Sequence, residues 1–126
     1  MSLRTPLKRA RGLGSAREGV HHWMIQRLTA VALIPLTIWF IVSLVSLAGA
    51  DYHTVQQWMS MPLVTVLLVL FVAVLFYHSE LGVQVVIEDY VSSKGSRLAA
   101  LTLSRFAHFF LAAAGIIAVL RVAFGA

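Results

Sequence analysis

The chain has 126 residues, 60% of them apolar and 12% charged, with no cysteine, and its mean hydropathy is +0.86. Soluble domains run at about 45–50% apolar and about 25% charged, so this composition excludes a water-soluble globule. The lack of cysteine also excludes disulfide scaffolds, thiolate-ligated zinc or iron–sulfur centres and thiol nucleophiles.

Ten Lys+Arg against five Asp+Glu leave a net charge of +5. Arg4, Lys8, Arg9, Arg11, Arg17 and Arg27 all fall near the start, so the basicity reads as membrane topology before it reads as nucleic-acid binding. Residues 1–22 form a basic arm. Its first 17 residues, rich in Arg and poor in acids, fit either the remnant of a mitochondrial presequence or an arm lying on anionic lipid. Ala48-Gly49-Ala50 looks like a cleavage site, but the apolar run before it is longer than the 7–15 residues of a signal peptide.

Residues 23–126 are expected to form a three-helix membrane domain with spans at about 24–49, 63–91 and 98–124, since each apolar stretch exceeds the roughly 20 residues needed to cross a bilayer. The fold class is an all-α membrane protein. The first loop, from Gly49 to Pro62, has no Lys or Arg, whereas the second turn carries Lys94 and Arg97. The positive-inside rule then places the N-terminus on the cytoplasmic or matrix side and the C-terminus outside, with Arg121 in mild dissent. Trp23, Tyr52, Trp58 and Tyr90 suit headgroup belts at span ends, while Trp39 and Tyr77 lie too deep to belong to them. Pro35, in mid-span, should kink the first helix. Thr29, Thr37, Ser43 and Ser46 can bond to the backbone or to a neighbouring helix.

Ionisable groups inside a span are costly and default to function. Here they are His78, Glu80, Arg105 and His108, with Arg27, Glu88, Asp89 and Tyr90 nearer the boundary. At about 100° and 1.5 Å per residue, His78, Gly82, Val85 and Asp89 share one helix face, with about 16 Å between its ends, and Glu80 points about 200° away. A neutral imidazole in an apolar span suits haem iron or a hydrogen bond across helices. His108 is a second imidazole at similar depth, so one chain holding haem between two histidines is one reading; a polar contact of Arg105 and His108 with a neighbouring subunit is another. Arg27 either snorkels or neutralises a buried carboxylate such as a haem propionate. A phenol with an adjacent carboxylate at the aqueous boundary, Tyr90 with Asp89, offers a quinone a hydrogen-bond donor and a route for protons.

The run Tyr77-His78-Ser79-Glu80-Leu81-Gly82-Val83-Gln84-Val85-Val86-Ile87-Glu88-Asp89-Tyr90-Val91 resembles the second-helix signature of the hydrophobic membrane-anchor subunits of succinate dehydrogenase, respiratory complex II. Residues 19–30, Gly-Val-His-His-Trp-Met-Ile-Gln-Arg-Leu-Thr-Ala, resemble the entry to the first helix of the same subunits. The resemblance covers the chain from about residue 14 onward. It implies that His78 is an axial ligand of haem b shared with a partner cytochrome b subunit, and that Tyr90 bonds a ubiquinone carbonyl with Asp89 nearby. It also implies that Arg27 and His21 approach the haem propionates, while Glu80 receives no role. The implied partners are a flavoprotein that oxidises succinate, an iron–sulfur subunit, the cytochrome b anchor and the lipid bilayer. The chain would catalyse nothing alone. The expected location is the bacterial cytoplasmic (inner) membrane, with the mitochondrial inner membrane as the alternative. Two other readings stand beside this one: a self-contained membrane cytochrome using His78 and His108, and a structural subunit without cofactor. A nucleic-acid binder lacks any recognition motif.

Overall fold

A computed structural model describes residues 6–7 and 16–125, so Arg4, Lys8, Arg9 and Arg11 of the basic arm lie outside the described residues. From Ala16 onward the described residues form four helices in order: α1, Ala16–Ser46; α2, Tyr52–Ser60; α3, Pro62–Tyr90; and α4, Lys94–Ala123. Three of them are long and apolar enough to cross a membrane. At 1.5 Å per residue each is about 45 Å long, so their ends extend beyond a hydrocarbon core of about 30 Å into the headgroup region.

Local sequence sets most of the helix boundaries. Helix α1 begins within the stretch read as arm, because no proline or turn separates residues 16–22 from the apolar run. It ends at Ser46, and the turn that follows closes at Gly49, whose φ of +81° is open to glycine and strained for residues with a Cβ. Pro35 sits inside α1 and lacks the N–H that would pair with the Val31 carbonyl. Pro62 opens α3 at its first turn, where a missing N–H costs nothing. The α3–α4 turn is pinned by Arg97, whose Nε donates to the Val91 carbonyl at 2.8 Å.

Helix α2 lies within 49–62, where the sequence pattern predicts only a loop. Its start is fixed by Asp51, whose carboxylate accepts from the Thr54 backbone N–H at 3.0 Å, a side-chain N-cap. Its end is tied to α4: the one proton of Ser60 Oγ is shared between the Ala123 carbonyl and the Gln56 carbonyl of its own helix, each at 2.7 Å, and Gln56 Nε2 donates to the Val122 carbonyl at 3.5 Å. The Val122 and Ala123 carbonyls belong to the last turn of α4, where intrahelical partners run out, and that of Val122 also accepts from the Gly125 N–H at 3.2 Å. Trp58 of α2 stacks on Trp39 at 5.9 Å between ring centroids, which gives the deep-lying Trp39 an aromatic partner in place of a headgroup.

Helix α3 is central. It packs against both α1 and α4, and among the described residues those two outer helices do not pack against each other. The buried apolar residues are Val64, Leu68, Phe71 and Leu81 of α3, with Ala123 of α4. Phe40 of α1 meets Phe71 at 4.8 Å. On the other side Gly115 lets α4 approach so closely that a Cβ there would lie 3.0 Å from Val72 Cγ1. Among the described residues thirty large apolar side chains remain exposed, including Val31, Ile38, Phe106 and Phe109, far more than a soluble monomer tolerates. That surface belongs against lipid or protein.

Two outcomes follow from these contacts. Gly115→Leu should separate α3 from α4 and destabilise the chain by about 1–3 kcal/mol, as overpacking does, read as a lower midpoint of thermal unfolding in detergent; Gly115→Ala needs only a small shift of Val72. The Asp51 carboxyl is held below its ordinary value of 3.8 by the Thr54 side chain and then by the Thr54 backbone N–H. A depressed folded pKa means that its stabilisation of α2 is present above the unfolded value and lost as pH falls through the folded one. Amide hydrogen exchange at Thr54 should therefore accelerate below about pH 4 relative to the intrinsic rate, and Asp51→Ala should abolish that pH dependence.

Candidate functional site

The ionisable side chains divide between the two sides of α3. Successive residues turn by about 100°, so His78 faces α1 while Ser79 and Glu80 turn toward α4. On the α1 side, His78 Nδ1 lies 2.8 Å from Thr29 Oγ1. The imidazole borders an open groove of about 380 Å³ whose other walls are Ala30, Leu33, Ile34, Thr37 and Ile38. Thr37 is the only polar side chain among those five. With Nδ1 engaged, Nε2 is the ring nitrogen that has no partner among the described residues.

Helices α1 and α3 run antiparallel at a defined register. Thr29 meets His78, and one turn away Gln26 Nε2 is the atom nearest a Cβ built on Gly82, at 3.9 Å. Continuing one more turn brings His22 to the level of Val85 and Val86. Two polar atoms on this seam, His22 Nε2 and Gln26 Oε1, are buried without a hydrogen-bond partner. Sequence reading singled out neither as a site. Their signal is the four-residue spacing His22-Gln26, continued to Thr29, on the side of α1 that meets the His78 face.

Arg27 is exposed, and its guanidinium sits 5.3 Å above the Trp23 ring. By helix angle Arg27 lies on the same flank of α1 as Ile34, about 20° away, two turns along. His21 is also exposed, but it lies roughly opposite the middle of the groove wall. The structure therefore brings Arg27 to the groove side of α1 and leaves His21 on the other. Asp89 lies on the His78 face about 16 Å along α3, and Tyr90 is 85% exposed at the helix end. Glu88 is held sideways by Gln84, whose Nε2 donates to its Oε1 at 2.9 Å.

On the α4 side His108 is a helix–helix clamp. Its Nδ1 is 2.8 Å from the Ser104 carbonyl, an acceptor, so Nδ1 carries the proton; Nε2 then accepts from Ser79 Oγ at 3.1 Å. Both nitrogens are committed. Glu80, to which the resemblance gives no role, pairs with Arg105 of this chain, Nε to Oε1 at 3.4 Å. The acid is enclosed, at 12% side-chain exposure, and the guanidinium is mostly open, at 68%. Arg105 and His108 thus satisfy groups of α3, where sequence reading had offered a neighbouring subunit. These residues border a second cavity of about 250 Å³, lined also by Phe76 and Tyr77.

A sequence profile of the succinate dehydrogenase/fumarate reductase transmembrane subunits matches residues 1–119. The chain belongs to that family. It is 34% identical over 122 residues to the succinate dehydrogenase hydrophobic membrane anchor subunit of Paracoccus denitrificans, covering 97% of this chain and 94% of the relative. It is 35% identical over 89 residues to the same subunit of Rickettsia bellii, covering 71% of each, and 36% identical over 85 residues to that of Rickettsia conorii, covering 67% of this chain and 68% of the relative. No solved structure matches it. The protein is a multi-pass membrane-anchor subunit of the succinate dehydrogenase/fumarate reductase class.

His108→Ala should loosen the α3–α4 seam by about 0.6 kcal/mol, the average for an interhelical hydrogen bond in a membrane. The loss should read as a slightly lower midpoint of thermal unfolding in detergent.

Proposed function

We propose that this chain would hold haem b through His78 Nε2, shared with a ligand from a partner cytochrome b subunit, and that it supplies Tyr90 and Asp89 to a ubiquinone-reduction site. The observation that carries the proposal is the placement of His78: one ring nitrogen tied to Thr29, the other without a partner, beside an apolar open groove. No three His, Asp or Glu side chains converge among the described residues. This lone imidazole therefore suits a metal that brings its equatorial ligands with it, and a flat apolar macrocycle suits the groove. A groove open on one side suits a group shared with a second subunit. His108 is fully hydrogen-bonded, so nothing favours both axial ligands coming from this chain.

Haem bound there would supply a one-electron store. The chain's own residues do the rest. His78 ligates and orients; Ala30, Leu33, Ile34 and Ile38 exclude water; Arg27, held over Trp23, offers a guanidinium fork to a propionate. The resemblance extends the propionate role to His21, but its place across α1 from the groove leaves Arg27 as the better-supported partner.

Quinone reduction takes two electrons and two protons. Tyr90 O–H donates to a quinone carbonyl, and Asp89, exposed at the helix end, passes protons from the aqueous side. In the proposed orientation the Tyr90 end and the N-terminus face the cytoplasm of a bacterium, following the distribution of cations, and the chain resides in the inner membrane. The soluble flavoprotein and iron–sulfur subunits would dock on that face and deliver the electrons. The relatives are bacterial subunits of the same name, in keeping with that location.

In the intact complex, His78→Ala should abolish or shift the haem b spectrum, and Tyr90→Phe should lower succinate:ubiquinone reductase activity at least tenfold while succinate oxidation by an artificial acceptor persists. That loss would correspond to about 1.4 kcal/mol or more of lost transition-state stabilisation. A wild-type haem spectrum in His78→Ala would refute the haem assignment, and full quinone reductase activity in Tyr90→Phe would refute the quinone assignment. Affinity purification through this chain should bring down a flavoprotein, an iron–sulfur protein and a second membrane anchor.

A further inference from the structure

The Thr29 hydroxyl sits at a junction of three groups. Its Oγ1 is 2.8 Å from the Ile25 carbonyl, 3.0 Å from the Gln26 carbonyl and 2.8 Å from His78 Nδ1. A hydroxyl has one proton to give. Both carbonyls belong to the preceding turn of the same helix and can only accept, and their positions are the usual ones for a threonine bonding back to its own helix. With the hydroxyl proton directed there, Oγ1 presents a lone pair to His78, and a contact of 2.8 Å then requires Nδ1 to carry hydrogen. A neutral imidazole protonated on Nδ1 has its free lone pair on Nε2, the nitrogen available to the groove.

We infer that Thr29 is a positioning residue for His78: it fixes the imidazole as the Nδ1–H tautomer and, through the chain Nδ1–H to Oγ1–H to the helix carbonyls, makes Nε2 a stronger electron donor to a metal. This rests on the haem reading above. The alternative assignment, with Thr29 donating to Nδ1, would put an Nε2–H donor against the largely apolar groove wall. It would also leave no lone pair for a metal. A hydrogen bond from the second nitrogen of a metal-ligating histidine raises ligand basicity and fixes ring orientation, and its loss typically costs about 10–100-fold in metal affinity. A more basic imidazole favours the ferric over the ferrous state, so losing the bond should raise the haem potential. Each tenfold loss of ferric relative to ferrous affinity raises a one-electron potential by about 59 mV.

The test compares Thr29→Ser with Thr29→Ala in the intact purified complex, since both lose the same methyl group and only alanine loses the hydroxyl. The readouts are haem per complex, the low-temperature spectrum and the haem midpoint potential from redox titration. The serine variant should match wild type in potential and haem content. The alanine variant should show a higher potential, lower haem occupancy, or both. Thr29→Val, which keeps the volume and removes the hydroxyl, should behave as alanine, so a packing defect separates from a lost hydrogen bond. Equal potentials and haem contents in the serine, alanine and valine variants would overturn the inference, as would serine failing together with the other two. His78→Ala in the same series distinguishes the two levels: unchanged haem there sinks the ligand assignment itself, whereas altered haem in His78→Ala with wild-type behaviour in Thr29→Ala sinks only the role of Thr29.

Discussion

The structure depends on one constraint: a polar atom inside an apolar span is costly until it has a partner. Helix α3 meets it on two sides at once. His78 is bonded from α1, and Ser79 and Glu80 are bonded from α4. A helix placed between two others is the arrangement that lets consecutive polar residues, about 100° apart, each face protein. The central position of α3, its share of the buried core and the register of its neighbours are consistent with these pairs.

The two sides have different chemical character. On the α4 side the polar groups close on each other: His108 uses both nitrogens, and Glu80 is enclosed beside a guanidinium. On the α1 side the pairing is incomplete among the described residues, since His78 keeps one nitrogen without a partner and His22 and Gln26 keep unpartnered buried atoms. Polar groups left unsatisfied in an apolar setting carry a desolvation cost. Completion by something outside this chain is the economical physical account. The asymmetry between a finished seam and an unfinished one separates the structural histidine from the candidate ligand.

Much of this was legible in the residues. Three apolar runs specified three helices, and the His78 to Asp89 spacing specified a shared face. The angle from His78 to Glu80 specified that the acid looks elsewhere. Helix α2 was not legible, because nine residues of mixed polarity carry no span-length signal and its stability comes from the Asp51 cap and from Ser60 and Gln56 bonding to the end of α4. The fate of Arg105 and His108 was also hidden. Their spacing places them one turn apart on α4 but says nothing about which residues of α3 lie opposite.

The sequence by itself determined the spans, their hydrophobic character, the family and the helix face on which His78 lies, because all of these follow from local periodicity and from residue order. Tertiary structure alone decided which imidazole is satisfied and which is not. It also decided that Glu80 finds its cation within the chain, and that Thr29 is the group bonded to His78. Those outcomes depend on the registers of α1 and α4 against α3. Register is set by contacts distant in the sequence, among them Phe40 with Phe71 and Gly115 with Val72, and no local pattern encodes it.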